Sequence, residues 1–97
     1  MYRQWRWVLI GKRYFKGPHE PGSSDLEYIE FTDGWPTRQV DVVDGRYYSS
    51  LDEPVPGVGG GLADQSLYSL ALPDEWETSA QEFEEVWQQA LGARGRA

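Results

Sequence analysis

A chain of 97 residues with sixteen acids, nine Lys or Arg and a formal net charge of −7 is one small acidic domain. It has no cysteine, which excludes disulfides, thiolate nucleophiles and cysteine-based zinc sites. The longest apolar run, Trp7-Val8-Leu9-Ile10, is far too short to cross a bilayer, and the acidic body argues against nucleic acid.

The start of the chain carries Arg3, Arg6, Lys12, Arg13 and Lys16 without one acid, whereas residues 20 to 91 hold all sixteen acids against Arg38 and Arg46. Tyr2 to Ile10 alternates, with Trp5, Trp7 and Leu9 on one side, and predicts a strand. It lacks a signal-peptide apolar region, so a cytoplasmic location is expected. The cations interleaved with aromatics in "RQWRWVLIGKRYFK" raise a secondary alternative, single-strand nucleic-acid binding. Two prolines and two glycines in Gly17 to Gly22 predict a loop. The one histidine, His19, falls there without a neighbouring partner.

Leu26 to Ser50 reads as two successive hairpins. Pairing about Gly34 sets Glu30 opposite Arg38, Tyr28 opposite Val40 and Leu26 opposite Val42, all on one face. The other face carries Glu27, Ile29, Phe31, Thr37, Gln39 and Asp41 and is mixed in character. Trp35 falls at the turn, where exposure is the rule. Asp44-Gly45 is a strong hairpin signal and starts a third strand. A charge on a core face needs a partner, and Glu30 and Arg38 supply each other. The same pair is also a candidate binding site, with Arg38 receiving an anionic group.

Asp52 to Ser66 is a long loop containing Gly59, Gly60 and Gly61. No Lys-Ser or Lys-Thr follows, so a phosphate loop is disfavoured, and a flexible or partner-shaped loop is expected. Leu67 to Pro73 predicts a short final strand. Ser79-x-x-Glu82 is a capping box, followed by Phe83, Val86, Trp87, Ala90 and Leu91 at helical spacing. Glu84 and Glu85 suit the positive end of that helix and give it an acidic face. Gly92 predicts its end. The fold class is α+β: an antiparallel β-meander of three to five strands packed by one C-terminal α-helix. Residues 1–92 form the domain, and 93–97 a disordered basic tail.

The pattern Glu30-Phe31…Arg38-Gln39-Val40…Asp44-Gly45-Arg46, followed by Glu82-Phe83-Glu84-Glu85-Val86-Trp87, resembles a family of small, mostly bacterial domains of unknown function. The resemblance spans roughly residues 5 to 91 and implies the same strand, hairpin-pair and helix order. It brings no activity with it. Small acidic α+β domains of this kind also look similar, by analogy, to bacterial immunity and antitoxin proteins.

No residue pattern supports catalysis. There is no second histidine for a metal, no EF-hand spacing and no nucleophile elbow. No catalytic residue, metal or cofactor is assigned. The expected function is a protein-binding module with a basic partner, contacting through Trp35, Gly59, Gly60, Gly61, Glu84 and Glu85, with Glu30 and Arg38 as further candidates. The alternative is a small ligand-binding protein or enzyme that uses a cavity beneath the glycine-rich loop.

Overall fold

The computed structural model describes residues 11–52 and 59–94, with side chains as far as Gly92. The strands are β1 (Lys12–Pro18), β2 (Leu26–Thr32), β3 (Trp35–Val43) and β4 (Arg46–Ser49). A one-turn helix α1 (Leu67–Leu70), a 3-10 turn (Asp74–Trp76), the short strand β5 (Glu77–Thr78) and the helix α2 (Ala80–Arg94) complete the order. The strands form one antiparallel sheet in the order β4-β3-β2-β1-β5. The α+β expectation of a meander closed by a C-terminal helix is what the chain forms. The strand expected over Tyr2–Ile10 lies outside the described residues.

Both tight hairpins rest on Asp-Gly pairs with positive φ at each residue: Asp33 (51°) and Gly34 (87°), then Asp44 (53°) and Gly45 (75°). That geometry twists with the strands, which is why two residues suffice. Glu30 faces Arg38, Tyr28 faces Val40 and Leu26 faces Val42, the register expected from the pattern. Between Glu30 and Phe31 the register shifts, pairing Phe31 with Pro36 and Thr32 with Trp35. Thr37 is the extra residue of this bulge, which bends the strand and re-aims side chains. Trp35 is therefore the first residue of β3, beside the turn and not at its tip.

Three expectations are corrected. Gly17 and Pro18 are not in a loop: β1 runs through Pro18, pairing Gly17 with Glu27 and Pro18 with Leu26. Leu67–Pro73 is not a strand. Ser66 caps a single helical turn there, its Oγ accepting from the Ser69 amide at 3.1 Å, and Ala71 ends it in the left-handed region. Helix α2 does not stop at Gly92 but continues through Arg94, two residues into the expected tail; residues 95–97 lie outside the described part.

The sheet has a core on each face. On one, Phe83, Trp87 and Ala90 of α2 pack against Tyr14, Tyr28 and Val40, with Leu26, Val42, Tyr47, Val86 and Leu91 at the margin. Phe83 stacks on Trp87 with ring centres 6.2 Å apart and planes 17° from parallel. The helix begins as its capping box predicts, with the Glu82 amide donating to Ser79 Oγ at 3.0 Å. The reciprocal bond is absent from that arrangement, because the Glu82 carboxylate accepts from Thr78 Oγ1 at 2.8 Å and Lys16 Nζ at 3.0 Å. On the second face, Phe15, Ile29, Phe31 and Leu67 are buried under Ala63, Leu70, Leu72 and Trp76. The segment from Gly59 to Trp76 thus covers a face that looked mixed from sequence.

Truncating Trp87 to alanine removes a ring from the helix–sheet core and the partner of Phe83. A loss of about 3–5 kcal/mol is expected, read as a lowered denaturant midpoint at unchanged slope. A midpoint equal to the parent's contradicts this packing.

Candidate functional site

Arg38 lies at the centre of the helix-side face. Its Nε donates to Glu30 Oε1 at 3.0 Å and its Nη2 to Glu30 Oε2 at 2.6 Å, a bidentate grip. Nη2 and Nη1 also donate to the two oxygens of Glu84 from α2. The guanidinium lies 5.0 Å from the ring centres of both Phe83 and Trp87, within range of cation–π attraction. Glu30 is only 2% exposed. The bulge brings Thr37 to it, and Thr37 Oγ1 donates to Glu30 Oε1 at 2.7 Å. Burial pushes the Glu30 carboxyl up. The bonds from Arg38 and Thr37, with the Arg38 charge, outweigh that and hold it at about 2. Arg38 is raised by the same bond to Glu30, against burial, with Glu84 adding to it. Tyr14 is raised first by burial and then by the neighbouring Glu30 carboxylate.

This geometry favours internal wiring over an anion site. Arg38 joins β2, β3 and α2 through two carboxylates of the chain itself. Glu84, expected on an outward acidic face, is the third member of this cluster although its side chain stays 45% exposed, and Glu85 is exposed. The glycines separate as well. A Cβ on Gly59 would come within 3.0 Å of the Tyr48 ring, so Gly59 is a close approach of backbone to β4. Gly60 and Gly61 both take positive φ, at 84° and 87°. Ala63 N then donates to Gln39 Oε1 at 2.8 Å. The three glycines lay the loop onto the second face of the sheet.

Beneath that loop is a polar group not singled out from sequence. Glu27 on β2 and Asp41 on β3 are direct cross-strand partners. Gln39 Nε2 donates to both, at 3.2 Å to Glu27 Oε1 and 2.9 Å to Asp41 Oδ1. His19 Nε2 lies 4.0 Å from Asp41 Oδ2. Burial and then the Asp41 charge push the Glu27 carboxyl up, opposed by His19. Burial also raises Asp41, opposed by Gln39, His19 and a backbone bond from Gly60. The signal available in sequence was three polar residues at alternating positions on the second face. Among the described residues, no group of three or more His, Asp or Glu is placed to hold a metal ion.

The third feature is apolar and exposed. Trp35 is 59% exposed and Tyr68 72%. A bond from Leu67 N to Gly34 O, 2.8 Å, fixes α1 against the β2–β3 turn and places the two rings at the same end of the sheet. Leu62 is exposed on the loop that Gln39 anchors, and Leu51 is exposed just beyond β4. Trp35 was expected here; Tyr68 was not, because Leu67–Pro73 was read as a strand. Comparison with protein-family models, curated proteins and solved structures finds no match to the chain.

Replacing Arg38 by glutamine leaves Glu30 buried without its counter-charge and is expected to cost about 3–5 kcal/mol. In a cycle with Glu30→Gln the two effects should fall short of additivity by at least about 1 kcal/mol. Additive effects, measured by urea unfolding, contradict the pairing.

The carboxylates give opposite pH trends. The folded-state pKa of Glu30 is depressed, so its contribution is present above its ordinary value near 4.5 and is lost as pH falls toward 2. Glu27 and Asp41 are raised, so their contribution is present below their ordinary values and is lost as pH rises through the raised ones. Glu27→Gln should therefore melt at a higher temperature than the parent at pH 7, with the gap closing in acid. A variant less stable than the parent at pH 7 contradicts the like-charge reading.

Proposed function

We propose that this protein is a protein-binding module whose contact surface is the end of the sheet around the β2–β3 turn. The observation that carries the proposal is the pair of large rings held out there, Trp35 and Tyr68. Aromatic rings supply large contact area at low entropic cost and are the residues most enriched at binding hot spots. A surface turn and a capped helical turn, tied by a backbone bond, present them in advance of binding. Leu62 and Leu51 are further exposed apolar side chains of the sheet's surroundings.

The partner's charge follows from the surroundings. Asp33 and Asp64 are exposed near the rings, and Asp52 follows Leu51 directly, against Lys12 as the nearest cation of β1. With a net charge of −7 over the chain, a basic protein is the favoured partner, and attraction raises its association rate. The analogy to immunity and antitoxin proteins belongs to this reading: an acidic module that occludes a basic partner. Catalysis gains no comparable support, since Glu27 and Asp41 each accept a hydrogen bond from Gln39 and, among the described residues, no nucleophile is hydrogen-bonded to either.

The test is affinity capture from cells that express the protein, with Trp35→Ala/Tyr68→Ala in parallel and folding verified by circular dichroism. The expected result is a basic protein retained by the parent, released as salt rises, and lost with the double variant. Retention of the same proteins by both baits sinks the proposal.

A further inference from the structure

A pocket of about 30 Å³ opens on the second face, at the end of the sheet away from the β2–β3 turn. Its walls are Phe15, Gly17 and Pro18 of β1, Glu27 and Ile29 of β2, and Leu72 and Trp76 from the segment that crosses them. Trp76 lies directly on the β1 backbone: a Cβ on Gly17 would fall 2.6 Å from Trp76 Cε3. Glycine at 17 thus lets the indole form one wall. Among the described residues of the lining the other side chains are apolar, and Glu27 is the one charged group.

We infer that this pocket binds an alkylammonium group, the end of a lysine side chain, with the Glu27 carboxylate as counter-ion and the Trp76 ring as wall. Three observations select that chemistry. The first is charge. Glu27 stands across from Asp41 with like charge, and its hydrogen bond comes from neutral Gln39. The nearby imidazole of His19 is directed to Asp41. A cation arriving at Glu27 relieves repulsion already present, whereas an anion adds to it.

The second is the wall. An indole face attracts a cation more strongly than other rings do. The Phe15 ring already carries the Arg13 guanidinium 5.2 Å from its centre, and Arg13 is held by Glu77. Trp76 is therefore the ring assigned to the guest. The third is size. A volume of about 30 Å³ holds roughly two water-sized groups. An ammonium head and the methylene next to it fill that space, and a planar guanidinium with its stem is larger. The methylene stem of lysine then runs past Ile29 and Leu72 while its head meets the carboxylate.

This site lies at the opposite end of the sheet from Trp35 and Tyr68 and does not rest on the proposed contact surface. The experiment is a titration of the ¹⁵N-labelled protein, following the Trp76 indole N–H, assigned with Trp76→Phe, and the Gly17 amide. The probes are Nα-acetyl-lysine methylamide, its uncharged norleucine counterpart and n-butylammonium. Saturable shifts of both signals by the lysine probe and by butylammonium, and none by norleucine, are expected. Glu27→Gln should weaken the lysine probe about tenfold, and Trp35→Ala/Tyr68→Ala should leave it unchanged. Glu27→Gln removes a like charge facing Asp41, so its fold is retained on the argument above. The norleucine comparison on the parent protein decides the charge question without any variant. Absence of saturable shifts, equal shifts from norleucine, or undiminished affinity in Glu27→Gln overturns the inference. Shifts from butylammonium alone overturn lysine as the source of the head group.

Discussion

A carboxylate in the middle of a five-stranded sheet is costly unless something opposite in charge closes on it, and Glu30 sets that condition for the rest of the molecule. Arg38 meets it from the neighbouring strand, but its grip requires a fixed register of β2 against β3. Thr37 reaches the same carboxylate only because the bulge displaces it from the regular ladder. The guanidinium then needs cover, which α2 provides with two ring faces and the Glu84 carboxylate. One ion cluster around a buried carboxylate therefore fixes a strand register, a bulge and the seat of the helix together. Apolar packing of Phe83 and Trp87 holds the helix down. The ion cluster restricts where along the sheet it sits, because moving α2 strands a charge.

Two cations of β1 have carboxylate partners within the chain. Arg13 pairs with Glu77 of β5 at 2.9 Å, and Lys16 with Glu82 of α2 at 3.0 Å. Exposed pairs of this sort contribute little each. Their placement matters more: both connect the basic start of the chain to its acidic end. The charge asymmetry along the sequence thus becomes cross-linking between β1 and the C-terminal elements. That use weakens the reading of the basic segment as a nucleic-acid surface, since the two cations are neutralised where they stand.

Much of the helix-side face was legible from sequence. Alternation along Leu26–Val43, the Asp-Gly turn and the i, i+3, i+4 stripe of α2 each reflect one buried face, and period follows burial. Arg38 could be paired with Glu30 on strand parity alone. Glu84 could not, because its contact depends on where the helix seats, which no local pattern records. Strand β1 was missed for a related reason. Tyr14 is buried toward α2 and Phe15 toward the second core, so both faces are covered and no alternation remains. The segment from Gly59 to Trp76 was the least legible. Its turns satisfy bonds through Gln39 and Gly34 in tertiary contacts, and a run such as Leu67–Leu70 fits a strand or a helical turn equally well by composition. The carboxylate pair and the Trp76 pocket emerge only once that segment is laid on the sheet.

The disposition of the remaining acids bears on how a partner is recognised. Glu30, Glu77, Glu82 and Glu84 are held by cations of the chain. Glu20, Asp33, Asp44, Asp64, Asp74, Glu75 and Glu85 are exposed, and they are spread over the turns, loops and outer helix surface instead of forming one face. A distributed negative field accelerates encounter with a basic partner from many directions but does little to orient it. Orientation in the proposed complex must then come from the few exposed groups that are neither charged nor dispersed. Trp35 and Tyr68 at one end of the sheet are such groups. On this proposal charge governs the rate of association and the rings govern its geometry, so rising salt is expected to slow association without changing where the partner docks.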